Sequence, residues 1–311
     1  MREPRLRAIL LTALVALGAS SAALAQWPRY MPATTPKGAD GKVDLDGPVP
    51  RAADGKPDLS GVWDVVPCIG CQLGRGRGAP PQGATPQGAP ATPATPAPQR
   101  GAVGQGGAAG RASMGNIGGG LPGGTAPYQP WAADLVKKRM ADNSKDNPDA
   151  HCLPLGIAQM NGHPFPRKLI QTPTEVLLIY EGSGTTVREI FLDGRTLPKD
   201  PEPWYNGYSV GRWEGDTLVI ETTGLMDDGW LDVRGSPITS KGKITERFRR
   251  VKYGYIELDE TIDDPTVYTE PFTAHLFWRL NPEIQLSEFV CIDKDAGHYV
   301  GAAGAPPDKT R

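Results

Sequence analysis

The stretch SVGRWEGDTLVIET, Ser209 to Thr222, decides the fold. It reads as two short β-prone runs, Ser209–Trp213 and Thr217–Thr222, joined by Glu214-Gly215-Asp216. A glycine between two carboxylates takes a positive φ without steric cost, which a tight hairpin turn requires. Along the second run Leu218, Ile220 and Thr222 point to one side, and Val219 and Glu221 to the other. The stretch is therefore expected to be the central hairpin of an antiparallel sheet.

Further runs of the same kind lie on both sides of it. Lys168–Gln171 is short, and Glu175–Glu181 and Thr185–Asp193 flank the turn Gly182-Ser183-Gly184. Downstream, Lys243–Lys252 and Tyr255–Ile262 flank Tyr253-Gly254, and Pro271–Leu280 and Ile284–Cys291 would close the sheet. Far upstream, Leu59–Val66 opens the series with Gly61-Val62-Trp63, where the Trp plugs a barrel end or simply joins the core. One or two helices are expected, one of them over Trp131–Met140, behind Pro130 and with basic residues in its last turns. Nine or ten strands joined by short turns predict a mainly β fold, an antiparallel up-and-down barrel of lipocalin-like form.

Composition sets the rest of the chain around that barrel. Arg2, Arg5 and Arg7, an apolar run Ala8–Gly18 and the site Ala23-Leu24-Ala25 form a signal peptide over residues 1–25, with no transmembrane segment after cleavage. The expected location is the periplasm or the outside of the cell. A polar lead spans 26–57 and repeats a turn hexapeptide, Asp40–Leu45 and Asp54–Leu59. The first strand occupies 58–71, and residues 128–298 hold the remainder of the barrel. Between them 72–127 has no aromatic and no acidic residue and is expected to be a disordered insertion, as is the tail 299–311. A net charge of -2 gives no reason to expect a nucleic-acid partner.

Four cysteines in an oxidising compartment allow three pairings. The expected one joins Cys152 to Cys291 across a long loop and Cys68 to Cys71 locally. A second C-x-x-C is missing for zinc, and a βαβ context is missing for a redox dithiol. His151, His163, His275 and His298 are scattered without metal-ligand spacing, so neither a metal nor another cofactor is expected.

No nucleophile motif, P-loop or dinucleotide glycine run is present. The carboxylates carry more information. Glu246 interrupts the row Ile244, Phe248, and Glu260 interrupts the row Ile256, Leu258, Ile262, as inward-facing acids would. A buried, unpaired carboxylate has a raised pKa and suits acid/base work. The register leaves two arrangements open. A three-residue turn puts both glutamates on one face; a two-residue turn at Tyr253-Gly254 sets Arg247 opposite Glu260 as an ion pair. Glu221 is a third candidate acid. Arg188 shares a face with Ile190 and Leu192 and could hold an anionic ligand or snorkel. Trp204, Tyr205, Tyr208, Trp213 and Trp230 cluster around the central hairpin, with Asp232 in the following loop; they form a ring-binding cleft or a core cluster.

Asp193-Gly194-Arg195, the run Gly207 to Val219 around Trp213-Glu214-Gly215-Asp216, Glu246-Arg247-Phe248 and Asp264-Pro265 resemble a family of secreted bacterial proteins of unassigned function, of acidobacterial and sphingomonad type. The resemblance spans Leu59–Val66 and Cys152 to Cys291, fits the pairing of those two cysteines, and implies no reaction. This chain departs from it at Ile238-Thr239, where His-Ser is expected. Gly61-Val62-Trp63 is also similar to the opening strand of lipocalin-like barrels, which implies small hydrophobic ligands.

The expectation is a secreted barrel that binds a small apolar or aromatic molecule in its lumen. One alternative is a hydrolase, lyase or isomerase on the same barrel, with Glu246, Glu260 or Glu221 as acid/base and Arg247 as partner. Another is a structural envelope protein whose 72–127 arm does the interacting. Whether any reaction is catalysed, and the oligomeric state, stay open at this point.

Overall fold

The computed structural model describes residues 35–67, 112–182, 186–289 and 291. The signal peptide, Cys68 and Cys71, most of the insertion and the C-terminal tail lie outside the described residues. Nine strands close into one barrel in chain order. They are β1 (Gly61–Val66), β2 (Arg167–Gln171), β3 (Glu175–Tyr180), β4 (Val187–Phe191), β5 (Tyr208–Glu214), β6 (Thr217–Thr223), β7 (Lys243–Lys252), β8 (Tyr255–Asp263) and β9 (Phe272–Leu280). Two α-helices accompany them, α1 (Pro130–Ala141) and the one-turn α2 (Ile157–Asn161). Among the described residues no helix is long and apolar enough to cross a membrane.

The central hairpin forms as its sequence dictates. Glu214 pairs with Thr217, so the turn is Gly215-Asp216, with Gly215 at φ 60°. Leu218, Ile220 and Thr222 face the interior and are buried, while Glu221 is on the outer face. The lead before β1 makes two small bridged turns, Lys37 with Val43 and Arg51 with Pro57, one for each copy of the repeated hexapeptide. Arg51 then holds the hairpin turn from outside, donating to both oxygens of Asp216 at 2.6 and 2.7 Å. Gly61 starts β1 at φ 146°, where a Cβ would stand 2.6 Å from Leu280 Cδ1 on the neighbouring β9. That close approach lets β1 and β9 pair and shut the barrel.

Three expectations are corrected. The barrel is not antiparallel throughout, because β4 and β5 run parallel. Their connection, 192–207, is long enough for a crossover and carries Pro198, Pro201 and Pro203, which cannot donate to a ladder. Ile284–Cys291 adds no strand: β9 already pairs with β8 and β1, so no sheet edge is left beside it, and Pro282 breaks the run. Finally, residues 112–127 are ordered rather than part of a disordered insertion. Ile117 N–H donates to the buried Asp232 at 2.8 Å, and Val233 N–H to Met114 O at 2.7 Å. Gly118 lies so close to the Thr125–Ala126 backbone that a Cβ would reach 2.3 Å from Ala126 N. Small residues can pack backbone to backbone here because Asp232 and the 231–236 loop satisfy their polar groups.

The barrel interior holds one continuous cluster of buried side chains, among them Trp63, Leu169, Leu178, Ile220, Phe248, Leu258 and Trp278. Trp63 is fully buried and donates from Nε1 to Leu59 O at 3.1 Å, with the Arg250 guanidinium 4.9 Å over its ring. At the other end of the described chain Cys152 and Cys291 are joined as a disulfide, with Cα atoms 5.6 Å apart.

Candidate functional site

Two features could carry function: a buried polar cluster inside the barrel and a cleft in its wall. They meet at Arg188.

The two glutamates face each other across β7 and β8, both at 0 % exposure. Neither turn length foreseen from sequence accounts for this alone. The turn is the two-residue Tyr253-Gly254, with Lys252 opposite Tyr255, but the register shifts between Arg250 and Lys252. The extra residue, Val251, is a β-bulge that sets Glu246 opposite Glu260 and Arg247 opposite Asp259. Arg247 therefore lies on the outer face, bound to Glu214 at 3.0 Å. Glu221 is outside as well, between Arg212 and Lys243, and the Lys243 hydrogen bond lowers its pKa. Neither residue belongs with the inward glutamates.

Arg188 reaches inward from β4 and pairs with Glu246 through both terminal nitrogens, with Nη1 to Oε1 at 3.0 Å. Its remaining donors go to Ser209 Oγ at 3.1 and 3.2 Å and Thr222 Oγ1 at 3.0 Å. Burial opposes its charge, but the Glu246 carboxylate overrides that and raises its pKa. Asn161, the last residue of α2, is fully buried and donates from Nδ2 to Glu246 at 2.8 Å and to Glu260 at 3.0 Å. Tyr180 O–H donates to Asn161 Oδ1 at 2.8 Å, which fixes the amide orientation; burial raises the phenol's pKa and keeps that proton in place. The backbone oxygen of Asn161 accepts from Arg167 at 2.8 Å and Trp278 at 3.1 Å. One asparagine thus ties helix, strands and glutamates together.

Glu260 is the group this arrangement leaves over. Its Oε2 has no hydrogen-bond partner among the described residues. Burial, and then the nearby Glu246, push its pKa up to about 8. At neutral pH the cluster is one ion pair plus one neutral acid, which avoids two carboxylates ionised side by side.

The cleft arises where the barrel wall opens. Only Ile190 with Ser209 and Phe191 with Val210 pair between β4 and β5. Just before β5 the chain is tied to the far side instead, with Trp204 N–H donating to Gly224 O at 2.9 Å and Met226 N–H to Trp204 O at 3.1 Å. Pulled that way, residues 203–207 stand off from the first half of β4. The resulting cleft of about 730 Å³ is walled by Val187, Phe191, Trp204, Tyr205, Tyr208 and Met226, with Arg188 and Ser209 at its inner end. Trp204 is 56 % and Val187 53 % exposed, and both line this cleft.

The cleft walls are braced. Phe191 and Tyr208 rings lie 5.4 Å apart, and the Arg195 guanidinium sits 3.8 Å from the Phe191 ring centre while donating to Tyr208 OH at 3.2 Å. Asp193 holds Arg195 in turn, and that hydrogen bond depresses the carboxyl's pKa. The Asp193-Gly194-Arg195 turn thus acts as a clamp on two aromatic side chains. Asn206 also lines the cleft, and its Oδ1 is buried without a hydrogen-bond partner.

The other residues singled out from sequence lie elsewhere. Trp63 is in the core at the barrel end. Trp213 is half-buried on β5 against the core. Trp230 is buried beneath Arg139, whose guanidinium lies 4.3 Å over its ring, in a separate cleft of about 340 Å³. Asp232 accepts from the Ile117 and Ser236 amides and does not line the wall cleft. Sequence reasoning missed Asn161 and Asn206, for which no spacing signal exists, and Phe191 as a cleft wall.

No protein-family model matches this chain, and no curated protein or solved structure matches it either. The site must be read from its own chemistry.

Proposed function

We propose that this protein binds a small, flat, largely apolar molecule, and that the binding site is the wall cleft between β4 and β5. The observation that carries the reading is a braced aromatic cleft with Arg188 and Ser209 at its inner end. Apolar walls supply affinity and a few polar groups supply orientation, the usual division of labour in small-molecule sites. The site differs from the lumen expected from sequence because the barrel interior is occupied by its own side chains. Binding in this cleft requires no participation of Glu246 or Glu260, which are not among its lining residues. The N-terminal sequence pattern puts this binding in the periplasm or outside the cell.

The test is a fluorescence titration with N-phenyl-1-naphthylamine, a flat apolar probe with one N–H donor. Saturable binding is expected, weakened about tenfold or more by Trp204→Ala and by Val187→Asp, since burying an aromatic ring contributes on the order of 1–3 kcal/mol. No binding, or binding indifferent to both substitutions, overturns the reading.

A further inference from the structure

The backbone of β4 adds a requirement that aromatic walls alone do not. Tyr180 N–H donates to Thr186 O at 2.9 Å and Leu192 N–H to Thr174 O at 2.7 Å. Antiparallel ladders alternate, so residues 186, 188, 190 and 192 turn their backbone groups toward β3, and 187, 189 and 191 turn theirs toward β5. On that side β5 reaches only Ile190 and Phe191. The parallel pairing of Ile190 with Ser209 uses the carbonyl of Glu189 and the amide of Phe191. What remains facing the cleft is the N–H and C=O of Val187 and the N–H of Glu189, with no partner among the described residues. Val187 and Glu189 are both exposed, and both line the cleft.

We propose that the cleft takes an extended peptide segment, which pairs with the free edge of β4 and sends an apolar or aromatic side chain between Trp204 and Tyr208. This rests on the reading of the cleft as a binding site and names the ligand class. Alternate amides along a strand are about 6.4–6.8 Å apart. A single ring cannot meet both Val187 and Glu189 at that spacing, whereas the carbonyls of alternate residues in an extended peptide repeat at the same distance. Such a peptide also supplies an N–H to the Val187 carbonyl. Strand addition of this kind takes affinity from main-chain hydrogen bonds and selectivity from a pocket for every second side chain. Residues 187–189 carry neither Pro nor Lys, the residues that most directly block strand addition.

The test uses N-acetyl-Val-Phe-Val-amide and the same tripeptide N-methylated at Phe, each titrated by calorimetry and in competition with N-phenyl-1-naphthylamine. The tripeptide is expected to displace the probe, and N-methylation to weaken it about tenfold or more. Amide hydrogen exchange at Val187 and Glu189 is expected to slow at least tenfold with the tripeptide and to be unchanged by the probe. If the probe binds but the tripeptide neither displaces it nor protects these amides, the peptide proposal falls and the small-molecule reading survives. If the tripeptide binds with the expected sensitivity and the probe does not bind, the peptide proposal stands and the small-molecule reading falls. Self-association of the protein that protects the same two amides without any peptide also overturns the proposal, because the edge then belongs to a second copy.

Discussion

Replacing Glu260 by Gln should remove the fall in stability that this one carboxyl contributes between about pH 4.5 and 8, leaving in place the opposite contribution of His163, whose pKa burial lowers to about 4. The carboxyl is fully buried, faces Glu246, and moves from an ordinary value of 4.5 to about 8 on folding. A raised acid pKa means that the folded state holds a proton which the unfolded chain has released. The stabilisation is therefore complete below about pH 4.5, falls as pH rises, and is gone above about pH 8. At 1.36 kcal/mol per pKa unit, the full span is at most about 5 kcal/mol. Gln is neutral throughout, fits the same volume, and can still accept from Asn161 through its amide oxygen. Relative to the parent, Glu260→Gln should be nearly neutral at pH 5 and more stable by a few kcal/mol at pH 8.5. Urea denaturation at half-unit pH steps reads this directly, and the difference between the two curves isolates Glu260 from every group they share. Parallel curves would refute the assignment of Glu260 as the neutral member of the pair.

Other consequences concern the same cluster and the surrounding frame. Arg188→Met leaves Glu246 buried without its cation and should cost about 3–5 kcal/mol by denaturation, whereas Arg188→Met with Glu246→Leu should recover most of that loss. Asp232→Ala removes the acceptor for the Ile117 and Ser236 amides; about 1–3 kcal/mol should be lost, with faster hydrogen exchange confined at first to residues 112–127. Reducing the Cys152–Cys291 bond, which spans 139 residues, should lower Tm, with about 5 kcal/mol as the ceiling of the loop-entropy model; a double Cys→Ser variant should melt where the reduced protein does.

Much of the barrel was legible because inward apolar and outward polar residues alternate along most of β7 and β8. Glu246 and Glu260 stood out as charges in apolar rows, and the structure places both inside. Glu221 shared a face with Val219, and that face is the outer one. Val219 is nevertheless buried, with Arg212 and Arg247 as its cross-strand neighbours, so an apolar residue beside an acid did not mark the lumen. The bulge at Val251 was invisible because one inserted residue has no compositional mark, yet it decides which residue faces Glu260. The parallel step from β4 to β5 was missed for a related reason: prolines at 198, 201 and 203 announce a loop but not the direction in which the chain returns. Residues 112–127 look unfoldable by composition, and they fold because Asp232, more than a hundred positions away, supplies what their own side chains cannot.

The account depends most on the ligand sitting in the wall of the barrel and not within it. Trp204 lines the cleft, whereas Trp63 and Trp278 are fully buried in the interior. Their indole N–H resonances in a nitrogen-15 spectrum separate the two locations during titration with N-phenyl-1-naphthylamine. The account predicts that the Trp204 signal shifts with occupancy while those of Trp63 and Trp278 stay in place; movement of Trp63 and Trp278 with Trp204 unchanged would contradict it.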